Sequence, residues 1–165
     1  MFKFLEEKFV PIAAKIGTQR HLIAVRDGFV TLMPLTILGS FAVLINNLPI
    51  KAYQNLMDKI WPHDVWTQWG GNMWNATFGF MSILIAFTVA YHLARGYNKD
   101  GLSAGVISVA TYLTFGTFGE GGLSGMTTGT AGIFISLIIA LLSAELFSRL
   151  SGSPKLMIKM PDTVP

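Results

Sequence analysis

Residues 21–50 read HLIAVRDGFVTLMPLTILGSFAVLINNLPI, and from Gly28 to Ile50 no side chain carries a charge. A helix needs about 20 predominantly apolar residues to cross a hydrocarbon core of about 30 Å. The segment is therefore long enough to span a bilayer from about residue 21 to 48, with Arg26 and Asp27 taken into one end. Pro34 lies near its middle, where proline removes a backbone donor and clashes with the preceding turn, so a bend is expected. Membrane helices tolerate such a fault when neighbouring helices or side chains satisfy the freed carbonyl.

Three further apolar segments follow, at about 74–94, 101–118 and 131–150. Glu145 and Arg149 stand four residues apart near the end of the last and share a helical face, so they can pair. Across the chain 52% of residues are hydrophobic and 13% charged, against roughly a quarter charged in an ordinary soluble domain. The charges are bunched between the apolar runs instead of covering every helix. The expected fold is all-α: a polytopic membrane protein of four transmembrane helices preceded by an N-terminal interfacial amphipathic helix.

The net charge of +3 comes from short clusters without interleaved aromatics, which speaks against nucleic acid as a partner. With no cysteine, disulfides, thiolate metal sites and sulfur nucleophiles are excluded. The start of the chain carries Glu6 and Glu7 and lacks the tripartite pattern of a signal peptide. Orientation follows from the basic residues, which are retained on the cytoplasmic side in short loops. Lys3, Lys8, Lys15, Arg20 and Arg26 precede or open the first span, Arg95 and Lys99 separate the second and third, and Arg149, Lys155 and Lys159 follow the fourth. The other side has Lys51 and Lys59, offset by Asp58 and Asp64, and Glu120. Both ends are thus expected in the cytoplasm.

Before the first span, Phe2, Leu5, Phe9, Ile12 and Ile16 recur at three- and four-residue steps. This predicts a helix over about 1–19 lying in the interface, either docking a partner or packing beneath the bundle. Residues 20–150 form the four-helix scaffold, and 151–165 the cytoplasmic start of a truncated continuation. The stretch from Lys51 to Met73 reads as an outer loop. It holds Trp61, Trp66 and Trp69, with Trp74 opening the next span. These indoles read as an interfacial belt or as a surface for stacking a sugar ring. The seven glycines between Gly116 and Gly132 fit neither a dinucleotide fingerprint nor a P-loop. They read as an outer connection, plain or dipping into the membrane.

No constellation for catalysis or metal binding is present; His21, His63 and His92 lie in different segments, and no cofactor is implied. Arg26 and Asp27 are the most interesting charges, because an ion at mid-helix costs about 2.5 to 3.5 kcal/mol on the insertion scale. They read as a structural ion pair or as participants in transport. At the head of the third span Gly101, Ala104, Gly105, Ser108 and Thr111 line one face, small enough to let two backbones approach within the bundle or between subunits.

The stretch IAAKIGTQRHLIAVRDGFVTLMPLTILGSF (Ile12 to Phe41), followed by Asn46-Asn47 and closed by MPDTVP (Met160 to Pro165), resembles the IIC component of the phosphoenolpyruvate-dependent sugar phosphotransferase systems. The likeness is to the lactose, cellobiose and diacetylchitobiose branch. Family members are longer than this chain and bind the sugar mainly with residues of their second half, so no substrate-binding residue carries over. The resemblance implies the front portion of a dimeric permease in a bacterial cytoplasmic membrane. The permease takes a disaccharide from outside and presents it to a cytoplasmic IIB partner, whose phosphocysteine phosphorylates it. This chain alone would then be no enzyme. The competing expectation is a self-contained membrane scaffold whose role is assembly.

Overall fold

The computed structural model describes residues 10–116, 118–119, 122–123 and 129–153. Much of the expected interfacial helix, Glu120, Lys155, Lys159 and the closing MPDTVP lie outside the described residues. Helix α1 runs Val10–Gly17 and α2 Arg20–Asn47; α3 (Lys51–Ile60) and α4 (His63–Thr77) follow after short breaks. A single 3-10 turn, Phe78–Phe80, joins α4 to α5 (Met81–Gly96), and α6 covers Gly101–Thr114. A two-residue antiparallel pair, Phe118–Gly119 with Gly122–Leu123, precedes a 3-10 turn at Thr130–Gly132 and α7 (Ile133–Leu150).

Among the described residues three helices are long and apolar enough to cross a membrane: Arg20–Asn47, Val65–Gly96 and Thr130–Leu150. The first and last lie close to the expected spans, and α2 continues unbroken through Pro34. The second begins well before the expected Trp74, because the stretch read as an outer loop forms α3 and α4 instead. The third expected segment is helical only over the 14 residues of α6. At 1.5 Å per residue that is about 21 Å, less than the hydrocarbon thickness.

Helix α5 is the axis of the bundle, packed against α2, α6 and α7. Its Ile85, Ala86, Val89, Ala90, Leu93 and Ala94 are fully enclosed. The neighbours meet it with small residues. Helix α7 buries Ser136, Ala140, Ala144 and Ser148, one every fourth position, and α2 buries Ala24 and Gly28. The large side chains face outward, among them Val30, Met33, Ile37, Phe41 and Leu44 on α2 and Phe134, Ile138, Leu142 and Leu146 on α7. Water would drive that arrangement the other way round. Lipid tails are as apolar as leucine, so the helices associate through close backbone approach at small residues and leave the large ones outside.

The α5–α6 turn is defined by local chemistry. Asn98 takes the left-handed conformation with φ 56°, which asparagine tolerates better than a branched residue. The Lys99 amide donates back to the Ala94 carbonyl at 2.9 Å. Asp100 then caps α6, accepting from the Leu102 amide at 3.0 Å, the Ser103 amide at 3.3 Å and the Ser103 hydroxyl. The Ser103 hydroxyl and these two amides hold the Asp100 carboxyl below its ordinary value. A depressed folded pKa means the cap contributes fully above the ordinary aspartate range and is lost as pH falls through the lowered value. Acid titration should therefore fray the first turn of α6, read as faster hydrogen exchange at Leu102 and Ser103. Asp100→Asn, which keeps an acceptor, should remove the pH dependence; an unchanged profile in that variant would refute the assignment.

Candidate functional site

The expected ion pair is local. The Arg26 guanidinium contacts Asp27 Oδ1 at 2.8 Å through both Nε and Nη2, with side-chain exposures of 67% and 34%. Neighbouring residues on a helix do not share a face, so the pair forms because the long arginine folds back over its own helix. One turn further along α2, the Thr31 hydroxyl lies 2.8 Å from the Asp27 carbonyl and 2.8 Å from His92 Nε2 on α5. A hydroxyl has a single proton and a carbonyl only accepts. Thr31 therefore donates to Asp27, and His92 carries its proton on Nε2 and donates to Thr31. This link couples α2 to α5 beside the ion pair. Sequence reasoning missed it, since 61 positions separate its ends and a lone histidine at a membrane edge reads as solvated.

A second polar group gathers at the same end. Glu145 pairs with Arg149 at 2.9 Å and lies 3.6 Å from His21 at the start of α2. Arg20 stacks 5.0 Å over the Tyr97 ring. Polar side chains of three segments of the bundle thus meet at the ends where α2 begins and α7 finishes.

The small-residue face of α6 lies against α5. Gly101, Ala104, Gly105 and Ser108 are buried, and Thr111 is half-buried with its hydroxyl donating to the Ile107 carbonyl at 2.8 Å. A Cβ on Gly105 would stand 2.7 Å from the Phe87 ring, and one on Gly101 the same distance from Tyr91. The opposite side of α6 exposes Leu102 and Val106, and Phe115 just past its end is exposed as well.

At the other end of the bundle the tryptophans divide. Trp66 is 5% exposed, donates to Asp58 Oδ1 at 2.9 Å and meets Tyr53 edge-on at 6.2 Å, so it ties α4 to α3. Trp61, Trp69 and Trp74 are exposed. Trp61, Trp66 and Trp69 join Tyr53, Met57 and Ile45 around an apolar cavity of about 540 Å³. Asn46 crosses from α2 to α4, its amide donating to the Thr67 carbonyl at 2.9 Å, and its head occupies the space a Cβ on Gly70 would need. Among the described residues no group of three histidine or carboxylate side chains could hold a metal.

The family profile described as "Phosphotransferase system, EIIC" matches residues 26–165. The chain is 41% identical to the lichenan permease IIC component of Bacillus subtilis, over 99% of this chain and 39% of that protein. It is 35% identical to the cellobiose-specific EIIC component of Geobacillus stearothermophilus, with the same coverage. The solved structure of the IIC transporter of the N,N'-diacetylchitobiose-specific phosphotransferase system superposes with a TM-score of 0.90 at 35% identity, over 98% of this chain and 40% of that one. The chain therefore spans about 39% of the length of these curated relatives.

Proposed function

Because the chain belongs to the phosphotransferase system EIIC family, we propose that it forms the front membrane scaffold of a permease for disaccharides of the cellobiose and diacetylchitobiose class. The observation that carries this reading is the superposition of nearly the whole chain on the diacetylchitobiose transporter. The relatives named for lichenan, cellobiose and oligo-β-mannoside support the substrate class.

In this reading residues 1–19 lie in the cytoplasmic interface, 20–150 cross the bacterial cytoplasmic membrane four times, and 151–165 lead on inside. The third crossing falls at about 101–118 and includes α6. The basic residues at the start of α2, in the α5–α6 turn and in the sequence after α7 support a cytoplasmic location for both ends. The assembled permease works as a homodimer and hands its sugar to a cytoplasmic IIB partner bearing the phosphocysteine. Phosphoryl transfer thus belongs to the complex and not to this chain. Arg26 and Asp27, joined through Thr31 to His92, steady the cytoplasmic end of the α2–α5 contact. The face from Gly101 to Thr111 serves helix packing.

The test replaces the matching front portion of a cellobiose EIIC component with this chain and measures phosphorylation-coupled uptake of labelled cellobiose in cells lacking their own permease. Uptake well above the empty-vector level is expected. A chimera that inserts in the membrane and transports nothing would count decisively against the reading.

A further inference from the structure

A second, smaller cavity of about 280 Å³ opens where α2 ends against α4, lined by Val43, Asn46, Asn47, Gly70, Gly71 and Trp74. Its walls combine an indole, two amides and two residues without side chains. Phe78 packs on Trp74 with ring centroids 4.6 Å apart, and 44% of Trp74 stays exposed. Asn46 is pinned by Thr67 and Gly70, and its Oδ1 is enclosed without a hydrogen-bond partner among the described residues. Asn47 is exposed and donates only to the Val43 carbonyl of its own helix, at 3.0 Å, so among the described residues its amide oxygen accepts no hydrogen bond. A Cβ on Gly71 would meet nothing within 4 Å, so the cavity owes part of its room to that missing side chain.

We propose that this cavity is a subsite for one pyranose ring of a disaccharide, on the outer side of the membrane. It rests on the substrate class and orientation proposed above. Sugar rings present an apolar C–H face and a rim of hydroxyls. Trp74 offers an apolar plane for the first, and the Asn47 amide offers both a donor and an acceptor for the second. Sites that enclose a drug-sized ligand occupy roughly 300–1,000 Å³. The cavity falls just short of that range, which suits one ring and leaves the second ring in solvent or against the rest of the permease. Two amides on the wall argue against an acyl chain, which would leave their oxygens unpaired.

The experiment places the chain in lipid nanodiscs free of glycoside detergents and follows cellobiose by saturation-transfer NMR. Transfer to the ring protons is expected with the wild-type chain. Asn47→Ala, which removes the amide, should weaken binding about tenfold, the scale of one or two lost polar contacts, and Gly71→Leu, which fills the cavity, should weaken it at least as much. Trp69→Phe, outside this cavity, should leave binding unchanged. Equal binding in the wild type and both variants overturns the subsite. So does an absence of transfer in a wild-type chain whose circular dichroism shows full helix content. In either case the permease reading stands or falls separately, on uptake by the chimera.

Discussion

Gly28→Ala is expected to destabilise the bundle by about 1–3 kcal/mol, and Gly28→Val by more, through overpacking at the contact of α2 with α5. The added Cβ would stand 2.6 Å from Val89 Cγ2, 3.1 Å from the Val89 nitrogen and 3.2 Å from its Cα. Two of those three atoms are backbone, so a rotamer change cannot relieve the clash and the helices must separate. Val89 is itself fully enclosed and stiff at χ1. Unfolding in mixed micelles, followed by circular dichroism, measures the loss. Val89→Ala in the same chain should restore only part of it, because the backbone approach persists. Gly71→Ala is the control, since a Cβ there meets nothing. If Gly28→Ala unfolds within a few tenths of a kcal/mol of the wild type, the close approach is not what holds these helices together.

Trp66→Ala should cost about 3–5 kcal/mol, the range for emptying a buried tryptophan site. Three losses combine there. The indole is 5% exposed, so its removal leaves a hole between α3 and α4. Its N–H no longer meets Asp58 at 2.9 Å, and Tyr53 loses the edge-on ring contact. Trp69→Ala, at 59% exposure, should move stability by far less while weakening anchoring at the membrane surface. Similar losses for the two tryptophans would mean that Trp66 belongs to an interfacial belt and not to the α3–α4 joint.

These residues also mark how far the sequence could be read. The first apolar helix was legible at both ends, expected as a span at 21–48 and present as a helix over Arg20–Asn47, because an uncharged run of this length has a transfer free energy that hardly depends on its neighbours. The second was shortened in the reading because 51–73 mixes lysines, aspartates and tryptophans, a composition that resembles a loop. Helix α3 carries its apolar side chains on one face, and α4 lies along the end of α2. The one-faced pattern of α3, none of whose residues is buried, is itself local; only the seating of α4 against α2 is packing that no local window contains.

The candidate site divides in the same way. Arg26 and Asp27 are adjacent in the chain, so their pairing was open to reading, as was Glu145 with Arg149 one turn apart. The links from Thr31 to His92 and from His21 to Glu145 were not, because each joins helices distant in sequence.

The uncharged stretch from Gly28 to Ile50 thus determined by itself that this chain enters a membrane, since partition between water and hydrocarbon is close to a sum over residues. Only the tertiary structure decided which small residue meets which helix, which tryptophan is buried and where Asn47 and Trp74 enclose a cavity. Those are contacts between distant positions, and their energies fall off within an ångström or two of misfit.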